Sequence, residues 1–348
     1  SLHNTVIDEP LGRLLAEWQP DVVHAHLIHT HIGYHALTQA ALAGAGVVFT
    51  AHDVMTFCYQ KLTCFHGGAA AGGELRDYGA RATKCIPCQR LRFRPGRNRA
   101  IARVLERDVQ RFTTVSDELG RAIAANGITV HRTVHNAIEL AEKLPTLADV
   151  RAFREKLGLA DHPLIALGGR LHGQKGVGLV LELLAELAPT QPDLRLLVIG
   201  RREAWEGEFR EHARALGVEQ RVLATGWLAG DELRTAYAAV DVFLMPSLCF
   251  DTFGMVNLEA MEVARPVIGT SFGGVPEVIE HGVTGFIANP FERSAWRGHL
   301  EELLADTQRA RAMGRAGRQR LEHRFSLEAT TRGYLAEYEA AIEARGRS

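Results

Sequence analysis

The residues best suited to chemistry stand in the run Pro246–Ser247–Leu248–Cys249–Phe250–Asp251–Thr252–Phe253–Gly254–Met255–Val256–Asn257–Leu258–Glu259–Ala260–Met261. It reads as the end of a buried strand (Val240 to Met245), a loop and the start of a helix. Asp251 lies before that helix and Glu259 two turns inside it. A helix start exposes unpaired N–H groups and a partial positive charge, which suits an anion. Carboxylates beside it are poor phosphate ligands but good acceptors for sugar and ribose hydroxyls. One loop can thus take a phosphate and the polyol attached to it, as a nucleotide-sugar site requires.

A second cluster matches it. The apolar run Pro163–Leu167 ends in Gly168–Gly169–Arg170, and Lys175 follows at the mouth of a helix expected from about Val177 to Leu187. Glycines let backbone approach a ligand closely. Arg170 offers a planar fork and Lys175 a compact charge. A strand, a Gly-rich turn and two cations at a helix start make a grip for a diphosphate.

At this point the chain resembles the retaining glycosyltransferases of the GT-B fold, in family 4 (the group 1 transferases). The likeness rests on Gly169–Arg170 with Lys175–Gly176, Pro246–Ser247, Phe253–Gly254–Met255–Val256 with Leu258–Glu259–Ala260–Met261, Arg265–Pro266–Val267, and Gly273–Gly274–Val275–Pro276–Glu277. It runs without a gap from about Ala160 to Phe291. It implies two Rossmann-like parallel-sheet domains facing a cleft. It makes Arg170 and Lys175 the cations that stabilise a leaving diphosphate. Gly169, Phe253, Gly254, Met255, Val256 and Glu259 become donor-binding residues, with Glu259 on the ribose hydroxyls. His52, in Thr50–Ala51–His52–Asp53 at a strand end, matches a histidine that touches the donor sugar; a structural pair with Asp53 is the alternative. Asp251 stands where the family has a Glu and is shorter by one methylene, roughly 1.5 Å of reach. It contacts the sugar or caps the helix. Ser116 and Asn136 match polar strand-end positions and could equally be caps.

The resemblance also implies a reaction: transfer from a UDP-, GDP- or ADP-sugar to a hydroxyl acceptor, on one face of the sugar, with no catalytic metal and no enzymic nucleophile. The acceptor is a saccharide, a lipid-linked saccharide or a small metabolite. Two rivals stand beside it. One is an epimerase or phosphorylase on the same fold; the other is a non-catalytic nucleotide-sugar-binding protein.

These groups need elements to hold them. At 348 residues the chain has room for two domains. Strand–helix alternation with near-continuous apolar strands indicates parallel sheets covered on both faces. We expect a first domain over 1–145, a nucleotide-sugar-binding domain over 151–325, and a terminal segment over 326–348 whose helix packs back on the first domain. The chain opens Ser1–Leu2–His3–Asn4 without Met or an opening strand, so the first domain is expected to lack its start.

A Cys-rich insert occupies about 56–89. Cys58, Cys64, Cys85 and Cys88 form two local pairs, the second a CxxC, and fit a tetrahedral structural zinc. His66 as a substitute ligand, free thiols and a redox pair are the alternatives. A metal site at His29, His31 and His35 is disfavoured, since no carboxylate or Cys joins them. The segment Arg90–Arg111 carries eight arginines with Ile101, Val104 and Leu105 between them. It is either a solvated helix with a narrow apolar stripe or a face for an anionic membrane or charged acceptor. Sparse aromatics there argue against nucleic acid. The net charge of −1 implies no polyanion partner. With no apolar run of transmembrane length and no signal-peptide pattern, the expected location is cytoplasmic, peripheral at the inner membrane face if the basic segment binds lipid.

Overall fold

The structure, a computed structural model, describes residues 2–346; Ser1, the expected non-Met opening residue, and the last two residues of the terminal segment lie outside the described residues. The chain divides into two units, one of residues 1–136 with 328–348, the other of Ala137–Leu327. Residues 137–145 therefore belong to the second unit.

The first unit holds a parallel sheet of β1 (Val22–His26), β2 (Gly46–Ala51), β3 (Arg111–Thr114) and β4 (Arg132–Thr133), in that order. All of β2 is buried, which explains its continuous apolar run. The first helix, Thr5–Trp18, is capped by Asn4 and carries Pro10 inside. The basic helix is Arg97–Asp108, with Ile101 and Leu105 buried and most of its arginines outside. Arg97 donates to the Met55 carbonyl (2.6 Å) and lies over the Tyr59 ring. Several arginines of this segment are thus absorbed by local structure. The last helix, Leu327–Arg345, belongs to this unit. Its buried Glu337 pairs with Arg111 Nε (2.7 Å) and reaches Arg132 (3.5 Å), and its Thr330 donates to the His135 carbonyl.

The second unit has six parallel strands: β5 (Leu164–Gly168), β6 (Arg195–Ile199), β7 (Val222–Gly226), β8 (Val242–Met245), β9 (Val267–Thr270) and β10 (Gly285–Ala288). Their order is β10-β9-β8-β5-β6-β7. Successive strands step outward from β5 to β7, then the chain returns to β8 on the other side of β5. That reversal is a topological switch point, and in open α/β sheets a ligand crevice forms there at the carboxyl ends of the strands. The core beneath it joins Ile165, Val180, Leu184, Val198, Leu244, Trp296 and their neighbours.

Candidate functional site

Both sequence clusters emerge at this switch point. Gly168, the last residue of β5, leads into Gly169, whose φ of +108° few residues other than glycine adopt. A short 3-10 turn, Gly173–Lys175, precedes the helix Val177–Leu187. Gly176 between them has φ +76°, and a Cβ there would overlap the Pro246 carbonyl oxygen. The Gly176 turn and the loop after β8 therefore touch backbone to backbone. Leu248 N–H donating to the Gln174 carbonyl (2.8 Å) fastens them further.

Lys175 Nζ reaches the Asp251 carboxylate, which also accepts from the buried Ser247 hydroxyl (3.2 Å). The first-turn cap of the helix Met255–Glu262 is Gly254, without a side-chain bond. Of the two roles open to Asp251, helix capping is not the one its carboxylate plays here. Burial pulls the Lys175 ammonium down, but the charge and hydrogen bond of Asp251 outweigh it and hold the amine above its usual range. Arg170 is exposed and close enough to repel Lys175. The loop carrying Gly273 packs against the Asp251 backbone, with Gly274 N–H donating to its carbonyl (2.8 Å).

Glu259 lies on the helix Met255–Glu262. Its Oε2 accepts the Tyr237 hydroxyl at 2.7 Å. Tyr237 is buried in the helix Gly230–Ala238, and its hydroxyl would lie 3.3 Å from a Cβ on Gly168. Burial pushes the Glu259 carboxyl up; the Tyr237 bond works against this and the nearby Glu262 adds to it. Phe253 is fully buried, with its ring edge-on to that of Phe325, while Met255 and Val256 are half-buried. Tyr237 escaped the sequence reading. A single tyrosine on an amphipathic helix carries no signal until the fold brings it to Glu259.

The first unit has its own polar cluster at the carboxyl ends of β1 and β2. His26 Nδ1 lies 2.8 Å from His52 Nε2, and His26 Nε2 lies 3.3 Å from His24 Nδ1. His24 also bonds to the Thr50 hydroxyl (2.7 Å) and the Tyr338 hydroxyl (2.8 Å). Asp53 instead faces His29 (3.3 Å) and accepts the Met55 N–H (2.9 Å). The expected alternative for His52, a pair with Asp53, is therefore replaced by a pair with His26. Burial drives all three imidazoles down, His24 to about 3 and His52 to about 4, with their mutual repulsion added for those two. The cluster is neutral near pH 7. Ser116 caps the helix Asp117–Ala124 through Leu119 N–H (3.2 Å).

Compared with known proteins, residues 149–320 match the profile of glycosyl transferases group 1, and residues 7–142 match that of Glycosyltransferase Family 4. The chain belongs to glycosyltransferase family 4. Among curated relatives, the D-inositol 3-phosphate glycosyltransferase of Segniliparus rotundus is 36% identical over 203 residues, 56% of this chain and 44% of that protein. The sulfoquinovosyl transferase SQD2 of Arabidopsis thaliana is 36% identical over 188 residues, 53% of this chain and 35% of that protein. The chain thus spans less than half the length of these two relatives. Among solved structures, Anabaena HepE in complex with UDP and glucose superposes with a TM-score of 0.74 at 19% identity, covering 95% of this chain and 81% of that one. That likeness shows the family's GT-B fold of two parallel-sheet α/β domains, as the sequence indicated.

Proposed function

We propose that this family 4 protein moves a sugar from a nucleoside-diphosphate sugar to a hydroxyl acceptor, retaining the anomeric configuration. The observation that carries the reading is the convergence of Arg170, Lys175, Asp251 and Glu259 at one topological switch point. Arg170 and Lys175 bind the diphosphate. Asp251, which orients Lys175, also meets the sugar hydroxyls, and Glu259 takes the ribose hydroxyls. In the reaction the bond from the anomeric carbon to the phosphate oxygen breaks. The acceptor oxygen bonds to the same face of the sugar, and its proton passes to the departing phosphate oxygen. The cations stabilise the charge that develops on that phosphate. No metal is required in this scheme. The neutral histidines of the first unit serve the acceptor, and His52 takes its sugar-side role from the likeness of Thr50–Asp53 alone.

The donor in this reading is a UDP-, GDP- or ADP-sugar, and the acceptor a hydroxyl on a saccharide, a lipid-linked saccharide or a small metabolite. Among the described residues no helix is long and apolar enough to cross a membrane; the lipid contact in this reading runs through the exposed arginines of residues 90–111.

Calorimetry against UDP, GDP and ADP, beside an Arg170→Ala, Lys175→Ala double variant, tests the donor site. Binding of one nucleotide that the variant loses supports it; no binding to any of them counts against it. Product analysis then separates the rivals. An epimerase forms no glycoside, a phosphorylase needs inorganic phosphate, and a binding protein turns nothing over.

A further inference from the structure

We propose that a cavity at the amino ends of β5, β8 and β9 binds a small phosphomonoester, held by the guanidinium groups of Arg265 and Arg311. The cavity measures about 320 Å³. It lies between Pro163, Asp241 and Pro266, which lead into the three strands, and the helices Arg293–Ala305 and Thr307–Arg324. This is the end of the sheet opposite the donor crevice, and none of Arg170, Lys175, Asp251 and Glu259 lines it.

Arg265 is the residue that asks for a ligand. It is half-buried, and its Nε is shut away from water with no hydrogen-bond partner among the described residues. Buried polar groups are nearly always paired, and an unpaired charged one is costly. Burial holds the Arg265 pKa below the ordinary arginine range; Asp241 opposes this, and Arg154 and Arg311 add to it. The backbone fixes Arg265 in place. Ala264 before it turns at φ +55°, and a Cβ on Gly314 of the helix Thr307–Arg324 would overlap the Ala264 carbonyl oxygen. The Arg265 N–H donates to the Ala260 carbonyl (3.0 Å). A guanidinium held on so firm a backbone is preorganised for a partner that arrives from solution.

Charge selects that partner. Arg154, the third arginine of the cavity, is already engaged by the Leu159 and His162 carbonyls. It also lies 3.8 Å from the Asp241 carboxylate, which accepts the Leu164 N–H (2.8 Å). Arg265 and the exposed Arg311 remain for a ligand; Asp161, the other carboxylate of the lining, is itself exposed. Two planar forks match the two charges and three oxygens of a phosphomonoester better than the single charge of a carboxylate. The cavity is also larger than a bare phosphate needs, and Pro163, Pro266 and Leu303 offer an apolar wall to the rest of the molecule.

The test is calorimetry with phenyl phosphate, beside phenol, benzoate and inorganic phosphate. It is run on the full chain carrying Arg170→Ala and Lys175→Ala, because an intact donor site would also take phosphate. There phenyl phosphate should still bind at one site, more tightly than benzoate or inorganic phosphate, and phenol should not bind. Adding Arg311→Ala or Arg265→Gln should weaken it about tenfold or more. Arg311 is exposed, so its variant decides the matter even if Arg265→Gln folds poorly, and circular dichroism checks both. No saturable binding of phenyl phosphate, benzoate binding equally well, or binding unchanged in Arg311→Ala or in folded Arg265→Gln would each overturn the assignment.

Discussion

The Tyr237 hydroxyl donates to Glu259 Oε2 at 2.7 Å, joining two helices, Gly230–Ala238 and Met255–Glu262, across the end of β5. Tyr237→Phe should leave the fold intact and free the Glu259 carboxylate to swing. The expected loss is about 1 kcal/mol, roughly fivefold in donor Kd. The same change removes a group that lowers the Glu259 pKa, already raised by burial. Donor binding should therefore fail at higher pH in the variant as the solution is acidified. Calorimetric titrations at several pH values decide it; an unchanged midpoint would refute the role given to Glu259.

Lys175 and Asp251 form a pair, whereas Arg170 is an exposed cation beside them. Removing either cation should cost on the order of 10²–10³ in kcat. Lys175→Ala should be the worse of the two, because it leaves a mostly buried carboxylate without its partner next to an incoming diphosphate. Steady-state rates of the single variants, with folding checked by circular dichroism, would show whether that order holds.

Asp251→Asn keeps the shape and removes the charge. Lys175 is then released towards the diphosphate, so KM for the donor should hold or fall while kcat falls. If Asp251 serves only to shape the loop, both constants should stay near their starting values. Asp251→Glu tests reach: the extra methylene must fit beside Ser247, which is fully buried.

Gly176 sits at φ +76° with its α-carbon turned against the Pro246 carbonyl. Gly176→Ala should destabilise the second unit by more than about 2 kcal/mol, combining left-handed strain with a backbone clash. Urea unfolding monitored by tryptophan fluorescence would register this as an earlier transition. Gly217→Ala, whose Cβ meets open space at a similar φ of +71°, is the control that isolates the clash.

His24, His26 and His52 titrate below their unfolded values, to about 3 for His24 and about 4 for His52. Between those values and about 6.5 the unfolded chain binds protons that the folded cluster does not. Stability should therefore be greatest above pH 6.5 and fall as pH drops towards 4. Thermal unfolding from pH 7.5 to 4.5 would show a falling Tm, less steep in His24→Gln. A slope equal to that of the unsubstituted chain would mean the cluster is not the source.

Much of the fold was legible because its signals are local. The buried strands read as apolar runs, and Gly168–Gly169 read as a glycine turn. Strand–helix alternation indicated parallel sheets in two domains, but the order of the second sheet and its reversal at β5 came only with the structure. The unreadable parts are contacts between distant residues. Nothing near Asp251 says that its carboxylate faces Lys175, 76 positions earlier, instead of the helix it precedes. Nothing near His52 says that its partner is His26 and that Asp53 turns to His29. The helix Ala82–Gln89 went unseen inside the cysteine-rich insert because Pro87 and two cysteines disguise its period.

The helix Leu327–Arg345 bears on how the protein is made. Glu337, which answers Arg111 and Arg132, and Tyr338, which answers His24, are translated after all of Ala137–Leu327. During synthesis the earlier-made sheet waits with Arg111 at β3 and Arg132 at β4 lacking Glu337, and with His24 at β1 lacking its Tyr338 bond. The second unit, although its codons come later, is the first whose every strand and helix has left the ribosome. Order of translation therefore does not fix order of completion: a chain cut after residue 327 would carry all of the second unit and lack the helix that completes the first.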